Sequence, residues 1–500
     1  MRQCRVGCHS METKTYLESA NNLPVCEECD VLVVGGGAAG HSAAIAAARA
    51  GCKKVILMER YGYFGGDATG GYVIMIPALS WRKFSMVRGL QEEWFTRLDK
   101  SAPEAYISPS LDEIGEDSPI KLDRWGLIHG CTMFKGAPSD RLVRAPYFEP
   151  NQLKIEMDLM VQEEPNIKVM LHCWGTKPIM DGDTIKGVIC ESKEGRRAVM
   201  AKVVIDATGD GDIFSQAGAP CFEKPSAGSR ADKTALVWRM GGVDFELYAR
   251  WGKEHPDLMA DFKEELIRVA GYRTMILPSE RNDVVWFNNW LPGMNCANIE
   301  DIKKTEFTVR SSIRRIIQFC REYMPSAFRN AFLYDIAPQL GARCSRRLKG
   351  EYVMTSLDFA CASKFDDVIA WHSCIGHRND GVPIEIPYRC ILPQKIENLL
   401  CPGRHLSADD SAIDGLNLIP QCVGTGQAAG VAAAVCVQEG TTTHNVNIRR
   451  VQDILCHEQD VPLPRQDNTD PELVRQLEEY QYGTMTPMAK KTRAAAGLDW

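Results

Sequence analysis

Residues 30–60 read DVLVVGGGAAGHSAAIAAARAGCKKVILMER. A short β-branched apolar run, Val31 to Val34, ends in three glycines, and the alanine-rich stretch that follows to Ala50 has helical length and propensity. Gly51 stops that helix, and Lys53 to Met58 supplies a second apolar run. Strand, turn, helix and strand within about thirty residues predict a βαβ unit with parallel strands.

The turn in this unit, Gly35-Gly36-Gly37-Ala38-Ala39-Gly40, fits G-x-G-x-x-G directly after a strand and opening a helix. Gly35 permits the tight turn, Gly37 lets backbone approach a pyrophosphate, and Gly40 lets helix and strand pack closely. At Ala38 and Ala39 the helix start offers unpaired N–H groups and a positive dipole end to phosphates. Glu59, followed by Arg60, ends the second strand nineteen residues beyond Gly40, where a carboxylate can accept hydrogen bonds from ribose hydroxyls and would repel a 2′-phosphate. The segment therefore predicts a dinucleotide site.

Further out, Gly65-Gly66-Asp67-Ala68-Thr69-Gly70-Gly71 offers a second backbone surface along a diphosphate and flavin, with Gly65, Gly66 and Thr69 as contacts. The runs IKVML, TIKGVIC and AKVVIDA between Ile167 and Asp206 alternate with polar turns and predict an antiparallel meander. That meander leads into Ala207-Thr208-Gly209-Asp210-Gly211-Asp212, a strand end where Thr208, Gly209 and Asp210 can meet a cofactor's phosphates or ribityl chain. From Phe222 to about Asp380, tryptophans, charged helical stretches and loops rich in Pro and Asn mark a second unit; strand and glycine signals return from Ile384 to Gly440.

The combination DVLVVGGGAAG, ILMERYGYFGGDATGG, VVIDATGDGD, ARCSRRLKGEYVMT and LLCPGRHLSADDSAIDGLNLIPQCVGTGQAAGVAAA resembles the FAD-dependent oxidoreductases distantly akin to fumarate reductase and succinate dehydrogenase flavoproteins. Matches run in order from about Asp30 to about Pro462. The resemblance implies an α/β protein: a Rossmann-like FAD-binding domain of parallel sheet, helices and meander, with an inserted α+β substrate domain. The expected division is an N-terminal extension over 1–29, a discontinuous FAD domain over 30–80, 140–222 and 384–450, a substrate or cap domain over 81–139 and 223–383, and a C-terminal extension over 451–500. It adds Gly403 and Arg404 to the cofactor residues. It also implies that Gly424, Gly426 and Gln427 form a helix N-terminus beneath the flavin's pyrimidine side, where N–H groups and a dipole would meet charge at N1 and O2.

The flavin would carry the redox chemistry, so the protein must place a substrate carbon near flavin N5, move a proton and stabilise charge. Arg343, Arg346 and Arg347 are three guanidiniums in five positions, able to clamp a carboxylate bidentately or to make interdomain salt bridges. His372 and His377 fall where the family tends to have a histidine facing the flavin; either could act as acid or base, and the sequence does not choose between them. Asp409 and Asp410 are adjacent carboxylates and read as a solvated loop, since neighbours in extended chain point apart. Family members commonly have a basic residue where Asn417 stands and an acid where Cys344 stands. Asp67 to Gly71 offers no histidine for covalent attachment, so FAD is expected to be non-covalent, with His405 a distant alternative.

Composition bounds the function from the other side. Lys and Arg total 58 against 65 Asp and Glu, a formal net charge of −7 with no basic block, which argues against a nucleic-acid partner. No window is long and apolar enough to span a bilayer and the start lacks a signal-peptide core, so a cytoplasmic protein is expected. The nineteen cysteines read mainly as buried thiols. Cys4 with Cys8 and Cys26 with Cys29 invite a metal reading, but the second pair abuts the first strand, where its side chains are expected to point apart, and no metal is assigned. The expected activity is hydride transfer between a carbon of a small polar metabolite and the flavin, as dehydrogenase, oxidase or reductase. An electron-transfer flavoprotein subunit and a non-catalytic FAD-binding protein are the alternatives, and a homo-oligomer or redox partner stays open.

Overall fold

The computed structural model describes residues 16–76, 79–81, 84–108, 145–373, 383–465 and 469–483. The chain folds as an α/β protein around one large sheet. Its centre is β1 (Val25–Val34), flanked by β2 (Val55–Met58) and then β3 (Ile167–Met170) on one side, and by β6 (Gly195–Asp206) on the other. All of these pairs are parallel, and the end of β6 pairs in parallel with β15 (Leu399–Leu400). The first half of β6 instead continues antiparallel through β5 (Thr184–Ser192) to β4 (Trp174–Asp181). The meander is therefore β4-β5-β6. Ile167–Met170, expected as its first strand, pairs in parallel with β2, because helix α3 (Pro150–Gln162) carries the chain across to that edge.

Helix α1 (Ala38–Arg49) follows β1 and is buried along almost its whole length, as is α7 (Ile419–Glu439) beside it. A helix hydrophobic all round belongs inside a protein, and small residues set how closely these two meet. A Cβ on Gly426 would lie 2.1 Å from the Ala39 carbonyl oxygen, and one on Gly430 would lie 2.2 Å from that of Ala43. Helix α2 (Leu90–Ser101) buries Leu90, Trp94, Phe95 and Leu98 in this same core, although 81–139 is assigned to the second unit by sequence; its apolar stripe is complementary to α1 and α3.

A second, antiparallel sheet runs in the order β11 (Phe332–Ile336), β8 (Trp238–Gly241), β10 (Val284–Pro292), β7 (Lys233–Ala235) and β12 (Gly341–Ala342), with β9 (Arg273–Pro278) also on β10. Helices α4 (Phe245–Glu254), α5 (Pro256–Ala270) and α6 (Ile299–Tyr323) pack over it around Phe262, Ile313 and Ile316. Trp238 and Phe287 stack at 3.9 Å between centroids in its core. Arg239 ties β8 to the start of α3: its buried guanidinium bonds Glu149, the residue before that helix, as well as Asp335 on the neighbouring strand β11.

Candidate functional site

The parallel strands end together, and the loops that leave them frame one cleft. β1 delivers Gly35, Gly37, Ala38 and Ala39; β2 delivers Glu59, Arg60 and Tyr61; β6 delivers Thr208, Gly209 and Asp212; β15 delivers Gly403 and Arg404. Ligands of open α/β sheets bind at this carboxyl edge.

Gly35 has φ +100°, and a Cβ there would stand 2.5 Å from the Ala207 carbonyl oxygen, so this turn needs glycine. Gly40 is held even more tightly, its Cβ position lying 1.7 Å from the Gly35 carbonyl oxygen. Gly37 differs: a Cβ would meet nothing nearer than Gly66 Cα at 3.9 Å and would project into space that backbone N–H groups otherwise face. That cradle fits a pyrophosphate. Glu59 is fixed by the N–H groups of Gly36 at 2.6 Å and Tyr61 at 2.8 Å, while burial pushes its carboxyl above the usual range.

Gly65 and Thr69 support the second glycine turn from behind. Thr69 is fully buried with its hydroxyl donating to the Phe64 carbonyl, and Gly65 N donates to Gly36 O, whereas Gly66 and Asp67 line the cleft. On the opposite wall, Asp206 organises the β6 loop by accepting from Thr208 Oγ1 at 2.7 Å and from the N–H groups of Ile213 and Phe214. Arg404 lies across Gly209 and donates to Asp210 at 2.9 Å, and Ser345 bonds the same carboxylate. Burial alone would raise Asp210, but Arg404 and Ser345 outweigh it and hold the carboxyl below the usual range. The other guanidinium nitrogen of Arg404, Nη1, is buried with no hydrogen-bond partner among the described residues.

Four residues expected beside the flavin, Gly424, Gly426, Gln427 and His372, do not line the cleft. Gly424, Gly426 and Gln427 do not start a helix: α7 begins at Ile419, so their N–H groups belong to the helix interior and Ile419 and Cys422 reach the cleft instead. The glycines are explained by close packing against His372 and Ala39, and Gln427 turns away to Gln459 at 3.0 Å. His372 is buried in β13 (Val368–Ser373) and does not line the cleft; burial depresses its pKa to about 4. Arg346 is bound to Ser215 at 3.0 Å and paired with Asp212 at 3.5 Å, which makes it a brace for the β6 loop. Arg347 likewise pairs with Asp410 at 2.5 Å, and Asp409 caps the turn at Ser411 and Ala412.

Arg343 stands apart from its two neighbours. Its carbonyl accepts from Asn417, which lines the cleft, and its guanidinium lies 5.6 Å from the Trp290 ring centre. His377, Cys4 and Cys8 lie outside the described residues. Cys26 and Cys29 pack against one apolar layer, a register irregularity separating Val25 from Glu27, and their thiols donate to the Ala198 and Met200 carbonyls. Among the described residues no group of three or more His, Cys, Asp or Glu could hold a metal ion, and no helix is long and apolar enough to cross a membrane.

Sequence reasoning did not assign Asp67, Asp212, Trp174, Gln339 or Cys422, all of which line the cleft. Asp67 and Asp212 are both raised to about 6, chiefly by burial. Of the three acids on the lining, Glu59 is held by backbone N–H groups and Asp212 faces Arg346, while the Asp67 carboxylate accepts no hydrogen bond among the described residues. The signal for Asp67 and Asp212 in the sequence was position alone, each directly following a glycine, Gly66 or Gly211.

The family model described as FAD dependent oxidoreductase matches residues 30–455. A curated urocanate reductase from Eggerthella lenta is 31% identical over 123 residues, which are 24% of this chain and 17% of that protein, so the chain matches only a small part of the relative's length. Among solved structures, a geranylgeranyl bacteriochlorophyll reductase-like protein from Thermoplasma acidophilum is 15% identical with a TM-score of 0.43, covering 94% of this chain and 96% of that one. The p-nitrophenol 4-monooxygenase of Pseudomonas putida is 13% identical with a TM-score of 0.44, covering 95% and 94%.

Proposed function

The chain belongs to the FAD dependent oxidoreductase family, and from that premise we propose that it moves a hydride between a carbon of a small polar metabolite and N5 of a non-covalently bound FAD. The observation that carries this reading is the open cradle at Gly37, set at the carboxyl edge of the sheet with Glu59 at its far end. Gly37, Ala38 and Ala39 would hold the pyrophosphate, Glu59 the adenosine ribose, and Gly66, Thr208, Gly209, Gly403 and Arg404 the remaining length. FAD, when bound, supplies the two-electron chemistry.

The chain's own residues then bind substrate and carry a proton. Asn417 and Asp67 on the cleft wall, with Arg343 behind Asn417 adding positive charge that Asp67 senses, would orient a polar substrate at this end of the cleft. The accompanying proton needs a group that titrates near neutral pH. Asp67, raised to about 6 and within the field of Arg404 and Arg343, meets that need on the cleft wall, whereas His372 is packed away from it. The test is anaerobic incubation of the yellow holoprotein with a metabolite panel, followed by acid precipitation. Bleaching of the flavin by a panel member, with flavin released into the supernatant, is expected. Colour that stays with the pellet would overturn non-covalent binding, and a flavin that no metabolite reduces, and that once reduced no metabolite reoxidises, would overturn the redox role.

A further inference from the structure

A second pocket, at the start of β4, is lined by three thiols, those of Cys26, Cys173 and Cys190. All three are free and share the apolar layer on one face of the large sheet. Cys173 lines the main cleft as well, so its side chain stands in the wall between the two spaces.

Strand register decides which two sulfurs can join. Cys190 on β5 lies opposite Gly175 on β4, and Cys173 stands two residues before that glycine, on the same face. Cys173 is therefore the diagonal neighbour of Cys190, with no side chain from the glycine between them. The Cys190 thiol donates to the Cys173 sulfur; sharing that proton holds Cys173 below the usual thiol range and, with burial, pushes Cys190 above it. Cys26 also reaches Cys190, but it sits on β1, with β6 between. Two strand spacings set its Cα about 9.5 Å away, beyond the roughly 4.4–6.8 Å that a disulfide accepts. Cys173 is 3% exposed and Cys190 2% exposed, so only a small reagent reaches the pair.

We infer that Cys173 and Cys190 are a dithiol that hydrogen peroxide oxidises to a disulfide, with Cys173 the attacking sulfur and Cys190 the resolving one. The Cys173 thiolate attacks one peroxide oxygen, the O–O bond breaks, and the departing hydroxide takes up the proton that Cys173 released. The Cys190 sulfur then attacks the resulting sulfenic sulfur, the S–O bond breaks, and the leaving hydroxyl takes the Cys190 proton. Two thiols give up two electrons and one peroxide becomes two waters. The backbone carries the change to the cleft, because the Cys173 N–H donates to the Glu59 carbonyl at 3.0 Å. Drawing Cys173 toward β5 shifts the strand end that holds Glu59 and loosens FAD. This effect on FAD, unlike the thiol chemistry, rests on the proposed reading that Glu59 holds the adenosine ribose.

The test exposes the FAD-loaded protein to a small molar excess of hydrogen peroxide, alkylates the remaining thiols and maps the unreduced peptides by mass spectrometry. A Cys173–Cys190 linkage that dithiothreitol removes is expected, with FAD held about tenfold more weakly while it lasts, the loss of about one hydrogen bond. Cys190→Ser should stop at a Cys173 sulfenic acid that dimedone traps, and Cys26→Ser should leave the linkage intact. A parent map without that linkage, a Cys26–Cys190 linkage in its place, or a dimedone label on Cys190 in Cys173→Ser would overturn the dithiol. A linkage that forms with FAD affinity unchanged would leave the dithiol standing and sink the ribose role of Glu59 alone.

Discussion

Nε2 of His372 lies 2.2 Å from the point where a Cβ on Gly424 would stand. The imidazole occupies the notch that this glycine leaves in α7, and burial, only partly offset by the Met86 backbone, keeps it neutral at ordinary pH. Packing of this kind accounts for both residues without giving either one chemistry. Gly424→Ala should cost about 1–3 kcal/mol by overpacking, and His372→Ala about 2–4 kcal/mol by leaving a cavity. Flavin reduction in His372→Ala should stay within about tenfold of the parent, well short of the 10²- to 10⁴-fold loss of a positioned acid or base. Denaturant titration and stopped-flow absorbance measure the two effects, and a rate loss of about a hundredfold with the fold intact would return the histidine to the mechanism.

Asp67 and Asp212 give the protein without cofactor a defined pH dependence. Burial raises both carboxyls to about 6, with Asp210 adding repulsion and Arg404, Arg343 or Arg346 opposing it. Between about pH 4, the unfolded value, and pH 6 the folded state holds more protons than the unfolded one. Stability therefore falls as pH rises through that window and is fully retained below it. Asp67→Asn should remove its share, leaving the cofactor-free variant more stable than the parent by about 2–3 kcal/mol above pH 6 and equal to it at pH 4. Thermal unfolding across that range checks both the size and the sign.

The βαβ unit, two of the three meander strands and the cleft wall were legible because each depends on local pattern: β-branched runs, glycines at fixed spacing and an acid at a strand end. Helix α7 shows where local reading failed. The resemblance implies a helix start at Gly424, Gly426 and Gln427, yet α7 begins at Ile419 and the two glycines are contact points for His372 and Ala39, which only the tertiary fold brings near. Arg343, Arg346 and Arg347 show the same limit, because three identical side chains within five positions end as a guanidinium beside Trp290 with no ion pair among the described residues, a loop brace and an ion pair. Chain distance separates the acids that decide among them: Asp212 and Asp410 lie more than sixty residues away on either side.

Arg404 and Asp210 form the pair on which the cleft's inner wall depends. The ion pair is enclosed by protein, and Ser345 bonds the same carboxylate. Removing one member leaves the other charged without compensation, which costs about 3–5 kcal/mol. Arg404→Met should therefore lower stability by that amount, while Arg404→Met with Asp210→Asn should recover much of it. A double-mutant cycle in denaturant measures the coupling, and additive losses would show that the two side chains act independently.

The two glycines of the fingerprint should fail in different ways. Gly37 has φ −65° and ψ −172°, backbone that any residue can adopt, and its Cβ would point into the cleft. Gly40 has no such room, since its Cβ would stand 1.7 Å from the Gly35 carbonyl oxygen and 3.1 Å from the Ala207 Cβ. Gly37→Val should thus fold with an unfolding midpoint near that of the cofactor-free parent but bind FAD poorly. Two charge-assisted bonds from backbone N–H to phosphate, at about 1.5–3 kcal/mol each, correspond to about a hundredfold or more in affinity. Gly40→Val must push α1 off β1 and should lose stability as well as flavin. Flavin content by absorbance, together with unfolding of the stripped proteins, separates the two. Equal stability loss in both variants would mean that Gly37 is a packing glycine like Gly40, and full FAD content in Gly37→Val would remove the pyrophosphate from this cradle.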